Sequence, residues 1–133
     1  MMALPRRGLG MFSAVVMEHN VNPRNVGPLD GATHHGVAGT PGDGPYMEMW
    51  FDVAGGVVRR AAYRTYGCPA AVACGSVLAQ LAAGRRVELL LSLTPQDIVT
   101  VLRGLPAGKE HCPALGVQAL RSALGNGGSD GTG

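Results

Sequence analysis

Between Tyr46 and Val53 apolar and polar residues alternate: Met47, Met49, Phe51 and Val53 fall on one side, Glu48 and Asp52 on the other. A period of two predicts a strand with one buried face. Ala54-Gly55-Gly56 follows as a tight turn, and Gly55-Gly56 suits a primed hairpin geometry. Val57 to Tyr66, carrying Arg59, Arg60 and Arg64, then returns as the partner strand. His34 to Ala38 reads as a short edge strand.

Elsewhere the period is helical. Met11, Phe12, Val15, Val16 and Met17 recur at helical spacing and predict a short amphipathic helix over 11–19. It stops before Asn22-Pro23, because the residue before a proline avoids helical angles. Pro69 to Ala83 is a small-residue helix closed by Gly84. Val87 to Leu93 is an apolar run with a helical reading. Thr94 caps a further helix with Pro95 in its first position, ending near Gly104. Ala114 to Leu124 is the last helix, with Pro113 marking its start and Leu115, Ala119, Leu120 and Ala123 on one face. Residues 22–29 are rich in turn formers. Gly39-Thr40-Pro41-Gly42-Asp43-Gly44-Pro45 can be neither helix nor central strand.

Composition narrows the class. The chain has 133 residues, 46% of them hydrophobic and 15% charged, enough for one globular domain with a modest core. That domain is expected over 11–124, after a loose extension at 1–10 and before a flexible tail at 125–133. Met11 is then as good a start for the folded unit as Met1. A net charge of +2, with its basic residues unclustered, argues against nucleic acid or a membrane surface as partner. No apolar run is long enough for a membrane helix, and the first ten residues lack a secretory apolar core. Three cysteines do not make a secreted disulfide framework, so a reducing, cytoplasmic compartment is expected.

The candidate chemistry gathers at Thr65-Tyr66-Gly67-Cys68-Pro69. This is a strand end, a corner and a helix start. Gly67 lets the backbone turn, and Pro69 suits the first helical position. Cys68 then sits at the helix mouth, where exposed N–H groups and the helix dipole favour a thiolate. A Cys placed this way is more often a metal ligand or a reactive thiol than core filler. Cys112-Pro113 repeats the pattern, with His111 and Lys109 alongside, and each thiol is expected to gain help toward ionisation from its helix. If the two corners meet, two thiolates, one imidazole and one carboxylate would suffice for tetrahedral Zn²⁺ or for half of a sulfide-bridged iron site. Cys74 lies six residues after Cys68, roughly 240° around the helix, and reads as packing. His34 and His35 are adjacent and point to opposite faces, so they read as solvated edge residues. Asp43, taken locally, is a turn aspartate bonding its own backbone.

The ordered set NPRNVGPL (22–29), GTPGDG (39–44), YGCPAAVA (66–73) and LPAGKEHC (105–112) resembles the IscU/NifU-type iron–sulfur cluster assembly scaffolds. The resemblance runs from about Met11 to Leu124. It contains nothing like the added domains of longer NifU proteins, and the Cys68–Cys112 spacing leaves no room for the insertion of SufU-type relatives. It implies an α+β fold: a small antiparallel three-stranded sheet with helices packed on one face. It also implies a site built from three loops, holding a transient [2Fe–2S] cluster, with Zn²⁺ or Fe²⁺ as other occupants. Residue by residue, Cys68 matches the family's second cysteine, Cys112 the third and usual persulfide acceptor, and His111 the family histidine. Leu105, Pro106 and Lys109 match the loop that a dedicated chaperone grips in some members. Asp43 stands where the family has its first cysteine, Pro45 where it has an aspartate, and the chaperone loop is altered to LPAGK. The implied partners are a cysteine desulfurase, apo iron–sulfur proteins, in some members that chaperone, and in a homodimer a second copy. Scaffold work is stoichiometric, and the chain shows no set of residues for ordinary enzyme catalysis. The alternative is a relative that binds mononuclear zinc or iron, or accepts persulfide, without building clusters.

Overall fold

The computed structural model describes residues 13–106 and 108–125. In chain order its elements are α1 (Ala14–Val21), β1 (His34–Gly39), β2 (Tyr46–Ala54), β3 (Val57–Tyr66), α2 (Pro69–Ala82), α3 (Val87–Leu91), α4 (Pro95–Val101) and α5 (His111–Leu124). The expected extension at 1–10, Met11 and Phe12 of the first predicted helix, and the tail at 126–133 lie outside the described residues.

The strands form one antiparallel sheet in the order β1-β2-β3. The alternation in β2 works as expected: Met47, Met49 and Phe51 are fully buried. A bulge between Asp52 and Val53 shifts the register and leaves Val53 only half-buried. The hairpin closes at Gly55-Gly56, where both φ angles are positive (61° and 79°), as a two-residue primed turn requires. Pairing extends past β3, since Gly27 N–H donates to the Tyr63 carbonyl at 2.7 Å and Tyr63 N–H to the Asn25 carbonyl at 3.0 Å.

Helices cover the apolar face. α5 lies across β1 and β2, and α2 lies across β3. The approach of α5 is close enough to exclude a side chain. A Cβ on Gly36 would lie 2.3 Å from the Ala123 backbone nitrogen. α4 starts as predicted, with Thr94 accepting from Asp97 N–H while Asp97 caps the Thr94 N–H.

Two elements differ from expectation. α5 begins at His111 with Glu110 as its cap, not at Pro113. The first helical turn has no internal use for its N–H groups, so a proline is tolerated at the third position as well as the first. In α1 the buried residues are Val16 and His19, whereas Met17 is 37% exposed.

His19 is buried because it has partners. Its Nδ1 is 2.7 Å from Ser76 Oγ on α2, and Ser76 Oγ also accepts from the Arg24 backbone N–H at 3.0 Å. The Arg24 guanidinium lies 3.0 and 3.2 Å from the two His19 ring nitrogens and pairs with Glu18 at 2.5 Å. Tyr63 joins through Ser76. The cluster ties α1 and the following loop to α2 and β3.

Two outcomes follow. Gly36→Ala drives a methyl into the α5 backbone and should lower unfolding stability by about 1–3 kcal/mol in denaturant titration. His19 is held below its ordinary pKa of 6.5, by burial first and by the Arg24 charge second. The unfolded chain therefore takes up this proton more readily than the folded one. Its stabilisation is complete above pH 6.5 and declines as pH falls below it. The thermal midpoint should drop between pH 7 and pH 5, and drop less in His19→Gln; equal drops would remove His19 from this role.

Candidate functional site

β3 ends at Tyr66, the chain turns at Gly67, and Cys68 occupies the N-cap of α2 in extended geometry with Pro69 first in the helix. This corner forms as its sequence predicts. Burial pushes the Cys68 thiol upward, but the N–H groups of Ala71 and Ala70, the Cys112 thiol and the Lys109 charge outweigh it. The net pKa lies below the ordinary thiol value.

Cys112 has a different environment. It sits inside the first turn of α5 and is 1% exposed. Burial, then the neighbouring Cys68 charge and hydrogen bond, push its thiol up to about 12, against a smaller opposite effect of Lys109. The expectation that both thiols ionise with help from their helices is thus corrected. Burial and position thus favour the first negative charge of the pair on Cys68 over Cys112. The causes are the burial of Cys112 within the first turn of α5 and the sulfur of Cys68 beside it.

The two corners do meet. Cys68 Sγ and Cys112 Sγ are 3.8 Å apart, and His111 Nε2 is 3.5 Å from Cys112 Sγ. The loop leading in is pinned by Lys109 N–H to the Pro106 carbonyl (3.2 Å), Cys112 N–H to the Lys109 carbonyl (3.0 Å) and Gly108 N–H to Glu110 Oε1 (3.0 Å). Leu105, Pro106 and Lys109 are all half-buried along it, and Leu105 packs against the core. Lys109 is the cation that favours both thiolates.

Asp43 stands apart. It is exposed in the β1–β2 loop, where its N–H donates to the Thr40 carbonyl at 3.0 Å. Gly42 and Gly44 on either side line an open cleft of about 580 Å³ with Tyr46, Arg64, Thr65 and Tyr66, at the strand end that leads to Cys68. Among the described residues, no three of His, Cys, Asp and Glu are grouped closely enough to hold a metal ion. The structure brings Cys68 to Cys112 and His111 to Cys112, short of a cluster that could hold a metal among the described residues, and leaves Asp43 on the β1–β2 loop.

Cys74 is fully buried, and burial first, with the two other thiols behind it, pushes its pKa far up. It is core packing close to the pair. His35 pairs with Glu48 at 2.5 Å and stacks on Trp50, while His34 pairs with Thr33 at 2.8 Å. Neither approaches the thiols as a ligand. Residue-by-residue reading did not pick out the cleft beside Asp43. Its signal was the β3 alternation, which sets Arg64 and Tyr66 on the outer face across from Glu48 and Tyr46.

Comparison with known proteins agrees with this arrangement. Residues 11–127 match the family described as NifU-like N terminal domain. An Archaeoglobus fulgidus protein named iron–sulfur cluster assembly scaffold protein IscU 1 is 36% identical over 114 residues, covering 86% of this chain and 74% of its own. The Haemophilus influenzae scaffold protein IscU is 32% identical over 117 residues, covering 85% of this chain and 92% of its own. Among solved structures, the SUF-system protein FiSufU of Fervidobacterium islandicum AW-1 superposes with a TM-score of 0.68 at 14% identity, over 89% of this chain and 99% of its own. The NifU-like N-terminal protein of Brucella abortus gives 0.56 at 17%, over 84% and 78%. These structures share the α+β fold. The chain belongs to the NifU-like N-terminal domain family.

The thiol order has a direct readout. Iodoacetamide at pH 7.5 should modify Cys68 first, with Cys112 and Cys74 reacting only as the protein unfolds, when followed by peptide mass mapping. Cys68→Ser should abolish the fast phase; a fast phase that survives it would overturn the order.

Proposed function

We propose that this member of the family is an iron–sulfur cluster assembly scaffold. It takes up iron and sulfane sulfur, holds a [2Fe–2S] cluster transiently as cargo, and passes it to apo-proteins. The observation that carries this reading is the meeting of Cys68 and Cys112 at 3.8 Å, with His111 beside them. The scaffold names of relatives that match most of the chain support it.

The cargo would be held by Cys68, Cys112 and His111, with the Asp43 carboxylate as the further donor from the adjoining loop. Thiolate is the donor that iron in sulfide clusters prefers, and a carboxylate is harder. A cluster held with Asp43 is therefore more exchangeable than one held by an additional thiolate. A cysteine desulfurase supplies sulfur to the pair, with Cys112 as the acceptor that the family resemblance implies. Leu105, Pro106 and Lys109 form the contact loop for a partner such as a chaperone. The role is stoichiometric. The reading places the protein in the cytoplasm; no helix among the described residues is long and apolar enough to cross a membrane.

A second reading rests on the donor types alone, which are not gathered into one cluster among the described residues. Two thiols, one imidazole and one carboxylate suit a single tetrahedral Zn²⁺, or Fe²⁺, without any sulfide. Anaerobic reconstitution with iron, sulfide and a desulfurase separates the two. The scaffold reading expects visible absorption with iron and acid-labile sulfide in equal amounts, lost in Cys68→Ala and in Cys112→Ala, and longer-lived in Asp43→Cys. Bound zinc or iron without labile sulfide would favour the mononuclear reading, and no bound metal would overturn both.

A further inference from the structure

An apolar groove of about 470 Å³ lies away from the thiols, where α3 and α4 meet the end of α2. Leu81 lines it from α2, Leu89, Leu90 and Leu93 from α3 and its end, and Val101 from α4. Leu81 is about 20 Å along the helix axis from Cys68, at 1.5 Å per residue. Leu89 is 59% and Val101 41% exposed, so this apolar lining faces outward. Apolar side chains gathered on a surface mark a contact.

The chain enters the described fold beside this groove. Ser13 caps α1 in extended geometry (φ −67°, ψ 164°), and its hydroxyl donates to the carbonyl of Leu102, the residue after Val101 and the C-cap of α4. The direction of α1 agrees. Near its end, Asn20 donates to the Pro69 carbonyl at the start of α2 (2.8 Å), and His19 meets Ser76 further along (2.7 Å). The start of α1 therefore points to the Leu81 end of α2. Directly before Ser13 the sequence is Gly8-Leu9-Gly10-Met11-Phe12, three large apolar residues and no charge.

We propose that this groove is the seat of Leu9-Gly10-Met11-Phe12 of the same chain. Reach allows it. An extended chain covers about 3.3–3.6 Å per residue, which puts Met11 within about 7 Å of Ser13 and Leu9 within about 14 Å. Charge favours it. The lining holds one charge of each sign, Arg85 and Asp97, and the Asp97 carboxylate already accepts from the Thr94 N–H at 2.9 Å. A lining without net charge suits an uncharged apolar occupant over a strongly acidic or basic one. Tethering decides between this segment and the same segment of a second copy. A short tether holds its segment at an effective concentration of order millimolar, above that of a separate molecule. Once seated, the segment ties α1 to α4 through side chains as well as through the Ser13 hydroxyl. The inference stands apart from the thiol site and does not rest on the scaffold reading.

The test places the photo-crosslinker p-benzoylphenylalanine at position 12 of the full chain, followed by illumination and tryptic mapping. The expected capture is by Val87–Arg103, the tryptic peptide that carries Leu89, Leu93 and Val101, within one chain and at a yield independent of protein concentration. Leu89→Asp, at an exposed position, should lower that yield about tenfold by setting a charge against an apolar side chain, with helix content by circular dichroism unchanged. A second measurement needs no crosslinker. The fluorescence of anilinonaphthalene sulfonate, an apolar dye, should rise in the double variant Met11→Asp, Phe12→Asp and return to the wild-type level when Leu89→Asp is added. Capture confined to Gly8–Arg24, the peptide of α1 itself, would overturn the proposal, as would unchanged dye fluorescence in the double variant. Crosslinked dimers whose yield climbs with concentration would make a second copy the occupant and overturn it too.

Discussion

Everything at the site depends on how closely α5 is seated. Two glycines set that distance. Gly36 on β1 leaves no room for a Cβ against Ala123, and a Cβ on Gly116 would fall 2.6 Å from the Leu78 methyl on α2. Gly116 is one helical turn after Cys112 and so faces the same side. The contact that brings Gly116 down on α2 therefore also lowers Cys112 toward the N-cap of α2, where Cys68 is held. α2 contributes by being small along its buried side, with Ala70, Ala71, Ala73, Ala79 and Ala82 all enclosed. The approach of the two sulfurs thus follows from how closely the α5 backbone packs.

The same packing makes the thiols unequal. Cys68 stays at a cap, where N–H groups without helical partners face its sulfur, and the anion is favoured. Cys112 is one step inside its helix and under the fold, where burial penalises charge and the neighbouring anion adds to the penalty. Lys109 favours ionisation of both and does not reverse the order. The two sulfurs, 3.8 Å apart, therefore differ in how readily each ionises, with Cys68 ahead of Cys112.

Much of this was legible in the chain. The β2 alternation, the Gly55-Gly56 turn and the Thr94-Pro95 cap each rest on local rules that tertiary packing did not override. The Cys68 corner belongs with them, since its geometry is set by its own neighbours. The start of α5 was misread because a proline marks the first turn of a helix, not a single position within it. The Cys112 thiol, placed inside that first turn and buried, is pushed up and not down. His19 was invisible for another reason. Its burial is made possible by Ser76, 57 residues away, and by Arg24 folding back from a loop. No periodicity records such a pairing.

Asp43 ties these points together. A family resemblance assigns it a ligand's place, while its own loop makes it an exposed residue of a glycine-flanked turn, next to the cleft that borders Tyr66. The two demands separate the functions of the site. Retaining a sulfide-bridged cluster calls for several soft donors around iron, and exchanging one thiolate for a carboxylate weakens that hold. The contact of Cys68 with Cys112, and of Cys112 with His111, depends instead on the packing of α5 against α2. On the proposed reading, a carboxylate at 43 shortens the dwell time of the cargo and leaves the Cys68–Cys112 contact as it is, since that contact is set by α5 and α2 and not by the β1–β2 loop.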